Sequence, residues 1–268
     1  MSNKIVYIAN GEGDVIPVLA EDNNDGAYSL GVKAKTPTFS VSDSLVRPAN
    51  TTAYAANKSI NCSVAVTALA YALKVVTLTA ANAFAVGDRI TVAGIFAGFA
   101  VTNIDGDWIC GAGTNATTVV FTVLLQPVGT TPQTITAGTI AKLLSFDVAG
   151  VAGGGIILSG LSISLQGVAM LGAVRAWIYV AQVPVLVDQS TFTLLTANDA
   201  NRKKYVDLYP ITEGTGSDVT FACVDMWREI KCAVADTRLY VRLVAEAAST
   251  PVSAGVITVR MSGIQLLG

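Results

Sequence analysis

The run Gly160-Leu161-Ser162-Ile163-Ser164-Leu165-Gln166 places leucine or isoleucine at every second position, with serine between them. Successive side chains of a β-strand point to opposite faces, so this is the pattern of a half-buried strand. The run lies inside a stretch from Val148 to Val174 that carries no charge and is rich in glycine (Gly150, Gly153, Gly154, Gly155, Gly160, Gly167 and Gly172). A membrane-spanning helix has no need of such alternation, and the glycines suit tight corners. The stretch therefore reads as strands and turns, not as a membrane span.

The same signal extends in both directions. Val75-Val76-Thr77-Leu78-Thr79 is a β-branched run, and Arg89–Val92, Thr118–Leu125, Val174–Ala181, Arg238–Ala245 and Val256–Met261 are further strand candidates. In the run after Arg238, Leu239, Val241 and Leu243 alternate with Tyr240, Arg242 and Val244. Asp25-Gly26 and Asp105-Gly106 fit tight hairpin turns. No long stretch shows helical spacing between caps. Many short strands with Gly-rich turns predict an all-β chain, a sandwich or a barrel.

Three sections are expected. Residues 1–42 form an N-terminal arm with short strands at Ile5–Ile8, Val15–Leu19 and Ala27–Val32. Residues 64–142 carry few charges and repeat strand and turn signals as a small, self-contained β module, an inserted barrel or sandwich. Residues 43–63 and 143–268 form the main β-sandwich, with the module interposed between its halves. Such an insertion costs little, because loop-closure entropy grows only slowly with length.

Composition narrows the function. Of 268 residues, 52% are hydrophobic and only 13% charged, about half the usual ~25% charged. A chain this poor in charge suits burial against copies of itself or against a host surface. The strands after Arg238 and Val256 are expected to expose edges that an oligomer would cover. Net charge is −2, and the densest basic run, Arg202-Lys203-Lys204, is short and isolated, which argues against nucleic acid as a partner. No basic segment followed by an apolar core opens the chain, so assembly in the cytoplasm is expected, with no membrane partner.

The chain has no histidine, which removes the usual general base and metal ligand. Cys62, Cys110, Cys223 and Cys232 form no CxxC pair; Cys223 and Cys232 can face each other across a hairpin, although buried free thiols are the expectation in a reducing compartment. Glu12 with Asp14, Asp105 with Asp107, and Asp225 with Glu229 are the close acid pairs, read as solvated turn carboxylates rather than a glycosidase pair. Glu21-Asp22-Asn23-Asn24-Asp25-Gly26 departs from a calcium loop, with Glu21 at the first position and Val32 at the twelfth. Gly150–Gly155 lacks the ending of a phosphate loop. No catalytic, cofactor-binding or metal-binding residue is assigned, and no cofactor is expected. Trp177 is expected in the core, and Trp227, between Met226 and Arg228, has the composition of an interface anchor.

Arg47-Pro48-Ala49-Asn50-Thr51-Thr52-Ala53-Tyr54-Ala55-Ala56-Asn57 resembles the RPADTTAYAAGD-type opening of a set of tailed-bacteriophage virion proteins, the capsid decoration or cement proteins. Val187-Asp188-Gln189-Ser190-Thr191-Phe192-Thr193-Leu194-Leu195 resembles their DNSPFTLL segment. Tyr205-Val206-Asp207-Leu208 and Leu239-Tyr240-Val241 are similar to two later strands of the set, in the same order. Residues 64–142 are a departure and resemble small β domains of phage tail and capsid proteins. The resemblance implies a jelly-roll-like sandwich on the capsid surface of the virion, with the major capsid protein and further copies of the chain as partners. A trimer is the first expectation for the homo-oligomer. The alternatives are a head-fibre or tail-associated adhesin whose module binds host glycan, and a carboxylate glycoside hydrolase in a virion spike.

Overall fold

The computed structural model describes residues 4–9, 15–22, 28–30, 37–47, 52–95, 104–124, 133–134, 138–166, 173–183, 185–193, 200–208, 211–212, 219–248 and 255–266. Every regular element among them is a β-strand, and every pairing between strands is antiparallel. The chain is all-β. It divides into two compact units, residues 1–37 and 38–268.

In the first unit β1 (Lys4–Ala9), β2 (Val15–Asp22) and β3 (Tyr28–Leu30) pair in sequence order as a meander. The expected short strands are present, but they pair with one another instead of running as an open arm.

The second unit begins with β4 (Thr38–Val46), so residues 38–42, expected in the arm, belong to the sandwich. Phe39 and Leu45 are buried and Val41 packs on the core, while Thr38, Ser40 and Ser42 are exposed. The main sandwich also contains β5 (Lys58–Ile60), β14 (Leu144–Asp147), β15 (Gly155–Gln166), β16 (Val174–Tyr179), β17 (Arg202–Leu208), β18 (Ile211–Thr212), β19 (Val219–Lys231), β20 (Arg238–Ala245) and β21 (Val256–Gln265). One sheet runs β18-β19-β15-β21-β4, and the other β14-β20-β16-β17 with β5 also on β20. If β5 and β14 count as one interrupted strand, the eight principal strands distribute as a jelly roll. The first, eighth, third and sixth share one sheet, and the second, seventh, fourth and fifth the other. Between the sheets lies one core, which includes Leu45, Phe146, Leu158, Leu161, Ile163, Ile178, Val241 and Val259.

The interruption has a defined register. Ile60 pairs with Leu243 and Leu144 with Val241, so only the position opposite Arg242 separates the two pieces of the strand. Ile60 and Leu144 both face the core, as residues two apart on one strand must. Between them the chain builds β6 (Val64–Ala65), β7 (Ala68–Ala72), β8 (Val75–Thr79), β9 (Arg89–Ala93), β10 (Gly106–Ile109), β11 (Thr118–Thr122), β12 (Gln133–Thr134) and β13 (Thr139–Lys142). These form two four-stranded sheets, β10-β9-β13-β6 and β11-β8-β7-β12, around their own core of Leu69, Val76, Leu78, Ile90, Val119, Phe121 and Ile140.

An excision test follows from the register. Deleting residues 62–143 and joining Asn61 directly to Leu144 sets Asn61 opposite Arg242 and restores a continuous strand. The spliced chain is expected to keep a single cooperative urea transition, with a smaller m-value because less surface is exposed on unfolding. Absence of any cooperative transition would show that the sandwich cannot fold without the module.

The strands after Arg238 and Val256 are not edges. β20 lies between β14 and β16, and β21 between β15 and β4. β20 is buried on both faces: Leu239, Val241 and Leu243 enter the main core, and Tyr240 and Val244 join Leu143, Trp177, Tyr179 and Val183 in a second cluster. Sequence alternation identifies faces, whereas edge position depends on partners remote in sequence.

Candidate functional site

The two longest resemblance segments meet in the interior. Arg47, at the end of β4, is 2% exposed, and its Nε donates to the Tyr54 hydroxyl at 3.0 Å. Tyr54, 1% exposed, donates in turn to Asp188 Oδ1 at 2.5 Å. The same carboxylate oxygen accepts the Asn61 backbone N–H at 3.0 Å. Asn61 Nδ2 donates to the Lys142 and Leu186 carbonyls at 2.9 and 2.8 Å. Arg47 also donates to the Thr52 carbonyl at 2.6 Å, and its guanidinium lies 4.9 Å from the Tyr54 ring centroid. The network ties together β4, the chain before β5, the entrance to the module and the loop after β16.

Burial pushes the Asp188 carboxyl above the usual carboxylate range, against the donors from Tyr54 and Asn61 and the charge of Arg47. Burial next to Asp188 also pushes the Tyr54 phenol up. Among the described residues, Asp188 Oδ2 is buried with no hydrogen-bond partner.

A second cluster joins the module to the sandwich. Lys142 Nζ, at the end of β13, contacts Asp43 Oδ1 of β4 at 2.7 Å and Asp88 Oδ1 at 2.9 Å. Asp43 also accepts the Ser44 and Ser145 backbone N–H groups at 2.8 and 3.0 Å. Burial alone would lower the Lys142 amine, but the two carboxylates outweigh it and the net shift is upward.

The outer face of the β20-containing sheet carries an aromatic and basic cluster. Trp177 stacks on Phe192 at 5.1 Å and tilts against Tyr205 at 5.1 Å. Arg175 lies 4.8 Å from the Tyr205 centroid and pairs with Asp207 at 2.5 Å and Glu246 at 3.2 Å. Trp177 is buried as expected, but beneath the 181–193 loop and not between the sheets. Arg202, Lys203 and Lys204 lie on β17, with Arg202 5.4 Å from the Trp177 ring.

Trp227 is 69% exposed and has φ +44. It stands at a β-bulge: Leu158 pairs with Arg228 and Gly160 with Asp225, so Met226 and Trp227 oppose Ser159 alone. Left-handed backbone is costly for a residue with a Cβ, and bulges redirect side chains. Met226 packs on the core while Trp227 faces solvent. Exposed, strained and aromatic, Trp227 has the properties of an anchor for a partner.

The acid pairs have identifiable roles. Asp105 accepts the Gly94 and Ile95 N–H groups at 2.8 and 3.0 Å, and Asp107 accepts the Thr91 hydroxyl. Asp105-Gly106 is therefore not a tight hairpin: Gly106 opens β10, and Asp105 closes a long connection from β9. Asp225 and Glu229 lie in β19, roughly 13 Å apart along the strand, wider than a glycosidase pair. Glu12 and Asp14 lie outside the described residues, as do Asn23–Gly26 and Val32 of the calcium-like run; Glu21 and Asp22 pair with Ser29 and Tyr28 in the meander. Among the described residues, no three Cys, Asp or Glu side chains converge on a metal site. Gly150–Gly155 makes the corner between β14 and β15, with Gly153 at φ +72, where a Cβ would come within 3.3 Å of the Val234 Cα.

All four cysteines are free. Cys223 lies within β19 and Cys232 just beyond its end, so no hairpin brings them together and roughly 30 Å of strand separates them. Burial pushes the Cys62 thiol up to about 12 and the Cys110 and Cys232 thiols to about 11.

No known protein family matches the chain, and no curated protein matches it in sequence.

Proposed function

We propose that the chain is a structural protein of a tailed-phage virion that binds the outer capsid surface and stabilises the head by bridging capsomers. Its partners in this reading are the major capsid protein and further copies of itself, a trimer first, assembled in the host cytoplasm. The observation that carries the reading is the convergence of Arg47, Tyr54 and Asp188. Three residues of the two longest resemblance segments, Arg47, Tyr54 and Asp188, are buried and joined to one another, so part of the likeness falls on the fold's interior. The low charge and the exposed Trp227 fit a protein whose work is interface area.

Co-sedimentation with capsids assembled without this chain tests the proposal. Wild-type protein is expected to saturate at a fixed number of copies per capsid. Trp227→Gly is expected to bind about tenfold or more weakly while its unfolding free energy is unchanged or higher, because glycine relieves the positive φ. Failure of wild-type protein to bind capsids would overturn the proposal.

One observation favours the adhesin reading. A cleft of about 360 Å³ in contact with the module is lined by Arg89, Asp107, Trp108, Ile109 and Gln182. An aromatic face beside planar polar groups suits a sugar ring. Antibody labelling of virions separates the two readings, as a lattice over the head or a label on a fibre or the tail.

A further inference from the structure

Two apolar features of the module lie at opposite ends of one sheet. At one end Leu73 is 74% exposed, Val75 43% and Leu124 82%. They form one tip, because the Val123 N–H donates to the Lys74 carbonyl at 2.9 Å and so places Leu124 beside the β7–β8 hairpin. Ala72 pairs with Val75, which leaves Leu73-Lys74 as a two-residue loop, and Leu73 has φ +54 while Lys74 does not have positive φ. Such hairpins favour glycine at the first loop position. A sequence selected for folding alone has no reason to place an exposed leucine there.

At the other end is a groove of about 560 Å³ between the module and β4, within the single compact unit 38–268. Its apolar lining includes Leu45, Val46, Val64, Ala65, Ala83 and Phe84. The Lys142 amine on its wall is already paired with Asp43 and Asp88. The volume lies in the range of about 300–1,000 Å³ that accommodates small ligands, ample for a few aliphatic side chains. β7 begins just after groove residue Thr67 and ends just before the tip at Leu73, and β8 returns from Val75 towards groove residues Ala81–Phe84. The two features therefore lie at opposite ends of β7 and β8, separated by about 17 Å of strand.

We infer that the Leu73–Leu124 tip of one copy seats in the groove of the next, head to tail. The occupant is a second copy because the chain carries both halves of the contact: a knob-like tip whose exposed Leu73, Val75 and Leu124 flank the solvated Lys74, and a largely apolar hollow. The separation prevents a copy from filling its own groove and makes the contact heterologous, the kind that forms a ring when the rotation between neighbours closes and a filament when it does not. The inference rests on the homo-oligomeric part of the proposed function and not on capsid binding, so it is tested without capsids.

Sedimentation velocity at micromolar concentration is the measurement. Wild-type protein is expected as an oligomer. Leu73→Asp with Leu124→Asp removes the knob, and Ala83→Glu charges the groove; all three positions are exposed, so both variants are expected to fold, as circular dichroism would show. Each variant alone is expected to run as a monomer, with self-association weakened roughly thirtyfold. Mixed, the two variants retain one intact knob and one intact groove and are expected to form a heterodimer and nothing larger. A wild-type monomer would overturn both this contact and the oligomeric reading. An oligomer that persists in both variants, or a mixture that stays monomeric, would overturn this contact alone and place self-association on another surface.

Discussion

Asp188→Ala is expected to lower the unfolding free energy by about 3–5 kcal/mol, the range seen when one partner of a buried charge network is removed. The substitution takes the acceptor from the Tyr54 hydroxyl and from the Asn61 N–H, and it removes a carboxylate that interacts with the charge of Arg47, which is 2% exposed. Set against a typical total of ~5–15 kcal/mol, the loss is expected to shift the urea midpoint far to the left. Asp188→Asn keeps an acceptor at Oδ1 and is expected to lose less. The two variants also separate charge from hydrogen bonding. The folded-state pKa of Asp188 is raised above its unfolded value, so the native state binds more protons between the two, and stability rises as pH falls through that window. Asparagine at 188 removes this contribution, so its deficit against wild type is expected to widen on acidification. An Asp188→Ala transition within about 1 kcal/mol of wild type would mean that the network is not what joins the two resemblance segments.

Much of the fold was legible where strands are apolar on one face. The run Val75–Thr79 is β8 as predicted, and the runs at Arg89, Thr118, Arg238 and Val256 each begin at the first residue of their strand. Two long strands were not legible, each for a physical reason. β4 alternates cleanly except at Asp43, an inward position filled by a carboxylate whose partner Lys142 lies across the sheet edge. β19 meets the two-residue β18 only at Thr220 and Phe221, and beyond that contact it carries Asp225, Arg228, Glu229 and Lys231 and is broken by the bulge at Trp227. Charges and bulges protect edges from unwanted pairing, and the same features conceal the period-two signal.

The candidate site was legible in its residues and not in its geometry. Arg47, Tyr54 and Asp188 stand in the segments that carry the resemblance, yet Tyr54 and Asp188 are separated in sequence by the whole module and by β5, β14, β15 and β16. No local spacing reports such a contact. Lys142, Asp43 and Asp88 carried no signal at all, since each looks like an ordinary surface charge until the chain closes.

Lys142→Met is expected to cost about 3 kcal/mol, the lower end of the range for a broken buried pair. Asp43 and Asp88 would then face each other without the amine that joins them. The cost stays at the lower end because Asp43 keeps the Ser44 and Ser145 N–H groups and Asp88 keeps the Ala85 N–H. Adding Asp43→Asn and Asp88→Asn to Lys142→Met removes the uncompensated charges, and most of the loss is expected to return, since neutral replacements of buried ion clusters are often tolerated. The wild-type pair is insensitive to pH near neutrality. The Lys142 amine is raised on folding, so its contribution is complete below the ordinary lysine pKa and fades only as strongly alkaline pH passes the folded-state value. The effect on cooperativity is more telling than the effect on midpoint. Asp43 belongs to β4 of the sandwich and Asp88 to the module, so Lys142 is a buried ionic link between two separate cores. Severing it is expected to split one urea transition into two, with Trp108 reporting the module, where it stacks on Phe121 at 5.3 Å, and Trp177 reporting the sandwich. A single shifted transition in Lys142→Met, coincident for both tryptophans, would show that the backbone junction at Asn61 and Leu143 couples the cores without the ion pairs.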